Sequence, residues 1–397
     1  MTTASHPTAR LPIATLGARG AERLLRGHPW VFRSDIATAP RVDAGIVDVR
    51  GPGGRKLGTA LYSPNSEITI RRLDADPDVT IDAGWWHRTL ERAISRRAPL
   101  AAHTTACRLV HGEGDGCPSL VVDRYDDVLV VQLLSAGLET QRAHIVAALQ
   151  ALLSPRGILA RNDPAVRTRE GLERTVEVLA GTVPDTIQIT EHGVHYLAAL
   201  RTGQKTGAFL DQRDNRVLIG SLARGRALDC FSYHGSFAMH LARSADEVTA
   251  VDVSAAALER ASENAALNGF TNITPVVADA FEYLREAKAK GERFDTIVVD
   301  PPAFAKNRAS VSHAMRGYAD INRIAMQLLT PGGLMFTASC SHHVHLPDFL
   351  EVLEYAAAES GRNIAIRSIT LQPMDHPVLL TVPETGYLKG AILEAMS

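Results

Sequence analysis

A short apolar run that ends in an acid and two prolines constrains the fold of this chain more than any other stretch. Residues 296–299 are β-branched, and Asp300, Pro301 and Pro302 follow them. An apolar run without alternation is typical of a buried parallel strand, and prolines cannot continue its hydrogen-bond ladder. Asp300 is therefore predicted at the carboxyl end of a strand, where open α/β sheets bind ligands.

The same pattern of strand and helix recurs from about residue 191 to the end of the chain. Strands are predicted at residues 227–231, 248–252, 274–279, 296–299 and 334–338, and helices at residues 235–243, 255–267, 281–290 and 321–329. This alternation predicts a doubly wound parallel sheet, the Rossmann-like form of the α/β class, over residues 191–397.

Acids cluster at one edge of this predicted sheet. Asp252, Asp279 and Asp300 each end a strand, and Asp229 lies near the end of another. Asp252 follows Asp229 by 23 residues, which is the place of a carboxylate that binds ribose hydroxyls. The loop between them has a single glycine, Gly235, where a dinucleotide fingerprint has three. A ligand with ribose but without pyrophosphate, such as S-adenosylmethionine (SAM), fits better than NAD.

The first 75 residues form a predicted β-rich domain with a basic surface. Eleven Lys and Arg side chains against six acids give this segment a net charge of +5, whereas the whole chain carries −2. Residues 46–50 and 57–62 flank the turn at residues 51–54, which predicts a hairpin. The excess of positive charge favours contact with a phosphate backbone, but a solvated basic surface explains it equally well.

Residues 76–190 are predicted to form a small middle α/β domain. The spacing of apolar residues indicates helices at residues 85–97 and 139–153, with several short strands between and after them. The glycine-rich segment 112–116 lacks the Lys-Ser/Thr of a phosphate-binding loop and runs into a strand. It is interpreted as a hairpin loop, so this domain shows no chemistry of its own.

Composition excludes several classes of protein. No apolar run approaches the roughly 18 residues of a membrane-spanning helix. No signal peptide is expected, because the first residues lack a charged start followed by an apolar core. The four cysteines form no CxxC pair, which disfavours a zinc site or a disulfide framework and favours a cytoplasmic protein with free thiols. The closely spaced His342, His343 and His345 are interpreted as loop residues, and no metal is expected.

Ordered sequence blocks along nearly the whole chain resemble the bacterial ribosomal RNA large subunit methyltransferase I family. The matching blocks are residues 27–32, 205–213, 229–235, 300–304, 316–318, 320–322, 339–341, 375–377 and 387–390. The resemblance implies an N-terminal PUA domain at residues 1–75, the middle domain, and a C-terminal methyltransferase. It also implies SAM as the cofactor, 5-methylcytidine in 23S rRNA as the product, and a homodimer.

The resemblance implies nucleophilic catalysis by Cys340. Addition of a thiolate to cytosine C6 makes C5 able to attack a methyl group. Asp300 would hydrogen-bond the N3/N4 edge of the base, and Lys306 would help to lower the pKa of the thiol. The alternative for Cys340 is a small buried core residue.

The remaining site residues are also expectations from the family. The cofactor set is Gln212, Arg213, Asp229, Phe231, Tyr233, Gly235, Asp252, Val253, Asp279, Ala280, Asp300 and Pro301. Asp252 would bind the ribose, Asp279 and Ala280 the adenine, and Gln212 and Arg213 the methionine end. The substrate and RNA set is Arg26, Arg33, Phe304, Lys306 and Tyr318.

Two departures from the family pattern leave other functions open. The first loop carries His234 and Ser236 where relatives usually have Thr and Gly, and Ala303 follows the paired prolines where relatives often carry a lysine. One alternative is a methyltransferase for another base or for a small molecule. The other is a non-catalytic RNA-binding or ribosome-assembly factor that retains the fold.

Overall fold

The N-terminal domain is a six-stranded sheet with one short helix. The computed structural model of the protein describes residues 10–304 and 311–396. The elements of this domain are β1 (Ile13–Leu16), α1 (Ala18–Leu25), β2 (Trp30–Phe32), β3 (Ile36–Thr38), β4 (Gly45–Arg50), β5 (Lys56–Tyr62) and β6 (Ile68–Asp74). The sheet order is β2-β6-β5-β4-β1-β3. The predicted hairpin is confirmed as the antiparallel pair of β4 and β5.

The middle domain is a five-stranded sheet covered by helices. Its elements are α2 (Ala83–Ser95), β7 (Ala106–His111), β8 (Leu120–Tyr125), β9 (Val128–Leu133), α3 (Ala136–Glu139), α4 (Arg142–Leu153), β10 (Gly157–Asn162), α5 (Val166–Arg169) and β11 (Thr175–Gly181). The strand order is β11-β10-β9-β8-β7. Asp82 caps the first turn of α2 by accepting a hydrogen bond from the Trp85 amide, and Trp86 is fully buried on the inner face of that helix. The segment 112–116 joins two antiparallel strands, as predicted.

A separate hairpin of β12 (Thr186–Glu191) and β13 (Val194–Ala199) leads into the third domain. The amides of Leu197 and His195 donate to the side chains of Asn264 and Asn268 at 2.9 and 2.8 Å. These asparagines belong to the methyltransferase segment, so we place the start of the third domain at about residue 186. The division predicted at residue 190 falls within the hairpin.

The third domain is a seven-stranded sheet with helices on both faces. Its elements are α6 (Arg213–Leu222), β14 (Arg226–Cys230), α7 (Ser236–Ala242), β15 (Glu247–Asp252), α8 (Ala255–Leu267), β16 (Ile273–Val277), α9 (Ala280–Ala289), β17 (Phe294–Val299), α10 (Val311–Gln327), β18 (Leu329–Ser339), α11 (Leu346–Ser360), β19 (Ile364–Leu371) and β20 (Lys389–Ala395). The strand order is β16-β15-β14-β17-β18-β20-β19.

The expectation of a wholly parallel sheet is wrong at one side. The five strands β14 to β18 are parallel to one another, but β20 pairs antiparallel with both β18 and β19. Since β20 comes from the last residues of the chain and inserts between two earlier strands, no local sequence signal marked its place. The helix predicted at residues 321–329 also begins earlier, since α10 starts at Val311.

Asp375 joins the third domain to the middle domain. Its carboxylate accepts hydrogen bonds from both terminal nitrogens of Arg213 at 2.9 Å and from the Arg108 amide at 3.0 Å. Its carbonyl oxygen accepts a hydrogen bond from Arg97 at 2.8 Å. The block 375–377 is thereby explained as an interdomain junction. Within residues 10–304 and 311–396, no helix is long and apolar enough to cross a membrane.

Candidate active site

The carboxyl ends of four neighbouring strands meet at one edge of the sheet. Cys230 in β14 lies beside Val251 of β15 on one side and Val299 of β17 on the other. Val299 in turn pairs with Thr337 of β18. The residues that follow these strands therefore converge. Asp252 ends β15, Asp300 follows β17 and Cys340 follows β18, so Asp300 and Cys340 come directly after two adjacent parallel strands.

The loop after β14 has a strained backbone. Phe231, Tyr233 and Gly235 all lie in the left-handed region, with φ of 62°, 51° and 79°. Two of them are not glycine, and such conformations cost about 1–3 kcal/mol each and concentrate at functional sites. A glycine count could not reveal this loop, because aromatic residues occupy the positions where other nucleotide-binding loops have glycine.

Asp229 leaves one carboxylate oxygen without a partner beneath this loop. Its Oδ2 accepts hydrogen bonds from Ser232 Oγ at 2.7 Å and from the Ala238 amide at 3.0 Å. Its buried Oδ1 has no partner in the described part of the chain. Burial raises the pKa of Asp229 to about 7. A buried acceptor without a donor is costly, and a cationic or donor group of a ligand would complete it.

Asp252 and Val253 are exposed enough to contact a ligand at the end of β15. Asp252 accepts hydrogen bonds from the amides of Tyr233 and Ser254, both at 2.9 Å, which fix its carboxylate beside the loop. Val253 is 68% exposed, which is unusual for a large apolar residue. The orphaned oxygen of Asp229, the strained loop and this exposed apolar side chain fit a ligand that carries ribose, an apolar ring and a positive charge.

Asp279 and Ala280 differ from the sequence expectation. Strand β16 ends at Val277, so Asp279 does not end the strand. Its carboxylate instead caps α9 and accepts hydrogen bonds from the Phe281 and Glu282 amides at 2.9 and 3.1 Å. Ala280 is buried in the core, so a contact with adenine would use its backbone rather than its methyl group.

Asp300 is held in a fixed orientation by a buried glutamine. Gln212 Nε2 donates to Asp300 Oδ1 at 2.8 Å, and Asn215 Nδ2 donates to Gln212 Oε1 at 2.6 Å. Burial, with a smaller effect of the Asp211 carboxylate, raises the pKa of Asp300 to about 7. The carboxyl group is therefore divided between its acidic and basic forms at neutral pH, which suits a proton donor to a base.

Cys340 is the one cysteine of the four that is not buried. Burial of its thiol, the Asp300 carboxylate and the Asp211 carboxylate raise the pKa of Cys340 to about 11, and Lys205 opposes them. The expectation of a lowered thiol pKa is therefore wrong for the protein without bound ligands. The thiol needs a further source of positive charge to react at neutral pH.

Lys205, Asp211 and Tyr387 form a polar cluster that the sequence assignment missed. Lys205 pairs with Asp211, and the Tyr387 hydroxyl donates to the same carboxylate oxygen at 2.7 Å. Lys205 has a positive φ of 53°, and its ammonium lies 4.6 Å from the centre of the Phe209 ring. The block 205–213 already contained this lysine, but only Gln212 and Arg213 were assigned from it.

Two predicted contacts are wrong because the side chains are buried elsewhere. Arg213 is 1% exposed and forms the bidentate pair with Asp375, so it does not close over the methionine end of a cofactor. Tyr318 is 0% exposed, and its hydroxyl is hydrogen-bonded to Ser339 and Ser341 at 3.1 and 3.0 Å. It supports the segment around Cys340 from the core and does not reach RNA.

Of the other predicted substrate residues that the structure describes, Phe304 belongs to the third domain and the two arginines belong to the N-terminal domain. Phe304 is half-buried, with its ring centroid 4.7 Å from that of Tyr318. Arg26 and Arg33 are exposed on the N-terminal domain, where Arg26 pairs with Glu22. Lys306 lies outside the described residues. Pro301 is buried beside Asp300.

Comparison with known proteins decides the family. The profile of an S-adenosylmethionine-dependent methyltransferase family matches residues 107–377, and that of a PUA-like domain matches residues 14–75. The ribosomal RNA large subunit methyltransferase I of Pseudoalteromonas atlantica is 41% identical over 390 residues, which are 96% of this chain and 99% of the relative. The chain belongs to the ribosomal RNA large subunit methyltransferase I family. The member from Klebsiella pneumoniae is 41% identical over 389 residues, covering 96% of this chain and 97% of the relative.

Solved structures support the same fold at lower identity. A SAM-dependent methyltransferase-like protein from Streptococcus mutans has a TM-score of 0.82 at 22% identity, covering 97% of this chain and 100% of that one. A protein assigned as a methyltransferase and solved with S-adenosylhomocysteine (SAH) has a TM-score of 0.84 at 23% identity, with the same coverage. The predicted architecture of PUA, middle and Rossmann-like methyltransferase domains is confirmed, as is SAM as the cofactor.

Proposed function

We propose that this methyltransferase forms 5-methylcytidine in 23S ribosomal RNA through a covalent adduct between Cys340 and cytosine C6. The observation that carries the proposal is the convergence of Asp300 and the partly exposed Cys340 at adjacent strand ends, beside the loop that follows Asp229. The names of the relatives support a large-subunit rRNA substrate.

The reaction would use the side chains at the edge in a fixed order. The Cys340 thiolate adds to C6, which turns C5 into a carbon nucleophilic enough to take a methyl group. Asp300, with its pKa raised to about 7 by burial, donates a proton to N3 as the thiolate adds. After methylation a base takes the C5 proton, the bond between Sγ and C6 breaks to release the Cys340 thiolate, and the N3 proton returns to Asp300.

The cofactor end of the edge is formed by the strained loop and its acids. We infer that Asp252 binds the ribose hydroxyls and that Val253 packs on the adenine. The unpaired Oδ1 of Asp229 would accept a hydrogen bond from the amino group of the cofactor. Phe231, Tyr233 and Gly235 belong to this loop and would contact the cofactor through their backbone. Asp279 and Ala280, at the start of the helix that follows β16, would lie beside the adenine. When bound there, SAM supplies an electrophilic methyl group on a sulfonium.

The remaining assignments concern the RNA. Exposed Arg26 and Arg33 on the basic PUA domain would contact phosphates, Phe304 would stack on the target base, and Lys306 would add positive charge near it. A homodimer is part of the proposal through the family resemblance alone. Sedimentation of the purified protein at micromolar concentration tests it, and a single monomeric species would remove it.

A labelled-methyl assay tests the reaction and the nucleophile together. Wild type, Cys340→Ala and Cys107→Ala would each receive methyl-labelled SAM and bacterial 23S rRNA, followed by nucleoside analysis. Cys107 is a suitable control because it is buried in the middle domain. We expect label in 5-methylcytidine for wild type and Cys107→Ala, and none for Cys340→Ala.

Other outcomes would assign the protein to a different function. Full activity of Cys340→Ala, with label in an N- or O-methyl nucleoside, would exclude the covalent route and point to another base. Absence of label in every sample, despite cofactor binding and a test with assembly intermediates, would favour a non-catalytic RNA-binding factor.

A further inference from the structure

Lys389 is a buried lysine that lies against the backbone of the proposed nucleophile. It begins β20 directly opposite Ser339, the last residue of β18, and only 5% of it is exposed. Its ammonium donates to the carbonyl oxygens of Ser341 and Tyr387 at 2.6 and 2.8 Å. Ser341 directly follows Cys340 in the chain, so this hydrogen bond holds the backbone next to the residue that carries the thiol.

The charge of Lys389 is not neutralised by a paired acid. Within residues 10–304 and 311–396, no carboxylate forms an ion pair with its ammonium, whereas Lys205 nearby is paired with Asp211. Lysine is almost never fully buried unless it is paired. A carbonyl oxygen satisfies a donor but does not compensate a charge, so the charge of Lys389 remains available to an anion formed beside it.

The groups around the thiol explain why such a charge is needed. Asp300 and Asp211 both raise the pKa of Cys340, and Lys205 lowers it. Burial lowers the pKa of Lys389 to about 8, against the raising effects of Cys340 and of Asp348 on α11. The positive charge of Lys389 also lowers the pKa of His342. Two acids thus act against a thiolate at Cys340, and Lys389 is close enough to Cys340 to interact with its charge.

We propose that Lys389 is a positioning residue for Cys340, which holds the turn through the Ser341 carbonyl and stabilises the thiolate with its uncompensated charge. The thiol proton leaves to solvent, and Lys389 keeps its own proton. The proposal rests on the proposed function, in which Cys340 is the nucleophile. Lys389 would thereby supply the positive charge that the sequence analysis assigned to Lys306.

Alkylation of Cys340 tests this role without RNA or methyl transfer. The rate of reaction with iodoacetamide would be followed by peptide mass spectrometry from pH 7 to 10, in wild type, Lys389→Gln and Lys389→Arg. Glutamine retains a donor for the Ser341 carbonyl but removes the charge, and arginine retains both. The other three cysteines are buried and serve as internal controls for unfolding.

A charge effect has a signature in pH that a structural effect lacks. We expect Lys389→Gln to slow alkylation about tenfold below pH 8, equal to a pKa shift of about one unit. The difference should shrink above pH 8, because wild-type Lys389 itself then loses its proton. Lys389→Arg should keep its reactivity at least as high as wild type across the range.

The opposite results would overturn the proposal. These are equal rates for folded Lys389→Gln and wild type at pH 7, or equal slowing in the glutamine and arginine variants at every pH. If Lys389→Gln does not fold, Lys389→Met provides the same loss of charge. The two proposals can also fail separately. If Lys389→Gln shifts the alkylation profile but Cys340→Ala still methylates RNA, the role of Lys389 stands and only the covalent reaction is refuted.

Discussion

Buried acids in two regions of this protein behave in opposite ways. The junction between the middle and third domains contains Asp375 and Glu191, which forms a β-bridge with Thr104 of the middle domain. Both acids are ionised, and Arg213, Arg216 and neighbouring histidines hold their pKa values far below the usual range. At the sheet edge, burial raises the pKa of Asp229 and of Asp300 to about 7. The same residue type is buried in both regions, but its partners differ.

The difference separates acids used for structure from acids left for ligands. Glu191 accepts two hydrogen bonds from Arg216, at 2.8 and 2.6 Å, and one contact from His240 at 3.0 Å. Among the described residues, no cation pairs with Asp229, and its Oδ1 has no hydrogen-bond partner. A buried carboxylate without a cation is costly unless a bound ligand completes it. The acids at the edge can therefore bind a ligand, whereas those at the junction already have their partners within the protein.

Breaking the junction should have the largest effect on stability. Asp375→Ala leaves Arg213 charged and buried without its partner, and we expect the free energy of unfolding to fall by about 3–5 kcal/mol. The folded pKa of Asp375 is depressed, so its contribution is present above about pH 4, the unfolded value, and is lost as the pH falls further. Chemical denaturation at pH 7.5 measures the loss of stability, and a series of measurements from pH 4 downward measures its pH dependence.

The control for this prediction is an exposed ion pair. Glu263→Gln removes the surface pair with Arg260 on α8 and should change stability by less than about 0.5 kcal/mol. An equal loss in both variants would show that burial of the Asp375 pair does not matter.

Removing an acid at the edge should instead affect the reaction. Asp300→Asn keeps an oxygen for Gln212 but cannot donate a proton to the base, so we expect kcat to fall by about 10²–10³ with little change in stability. Asp246→Asn is the matched control, since this exposed acid lies at the opposite, amino end of β15. Steady-state methylation assays decide between them. Normal kcat in Asp300→Asn would remove Asp300 from the reaction.

The smallest expected effect concerns the pH dependence of cofactor binding. Since the pKa of Asp229 is raised to about 7, its anionic form is lost below that pH. The affinity for SAM should weaken by up to about tenfold per pH unit below 7 and level off above it. Calorimetric titration should find this dependence in wild type and in Asp300→Asn, and a flat, weaker profile in Asp229→Asn. A pH-independent affinity in wild type would argue against Asp229 as the acceptor.

The sequence predicted those parts of the edge that depend on strand pattern alone. Asp252 and Asp300 were placed correctly because a parallel strand that stops at an acid or a proline marks its own end, whereas Cys340 was assigned through the family resemblance. The strain in the loop was missed because Phe231 and Tyr233 adopt positive φ values, which residue types other than glycine do not predict. Arg213 was misassigned since its partner, Asp375, lies 162 residues away along the chain. Lys389 was missed because its strand reaches Cys340 only through antiparallel insertion next to β18.

Trapping the covalent adduct tests the central claim most directly. A 23S rRNA fragment with 5-fluorocytidine in place of cytidine would be incubated with the protein and SAM, because fluorine at C5 cannot leave as a proton does. We predict a denaturation-stable protein–RNA complex whose cross-linked peptide contains Cys340, and no complex with Cys340→Ala. Turnover of unsubstituted RNA to 5-methylcytidine without any trapped complex, or a cross-link at another residue, would contradict the account.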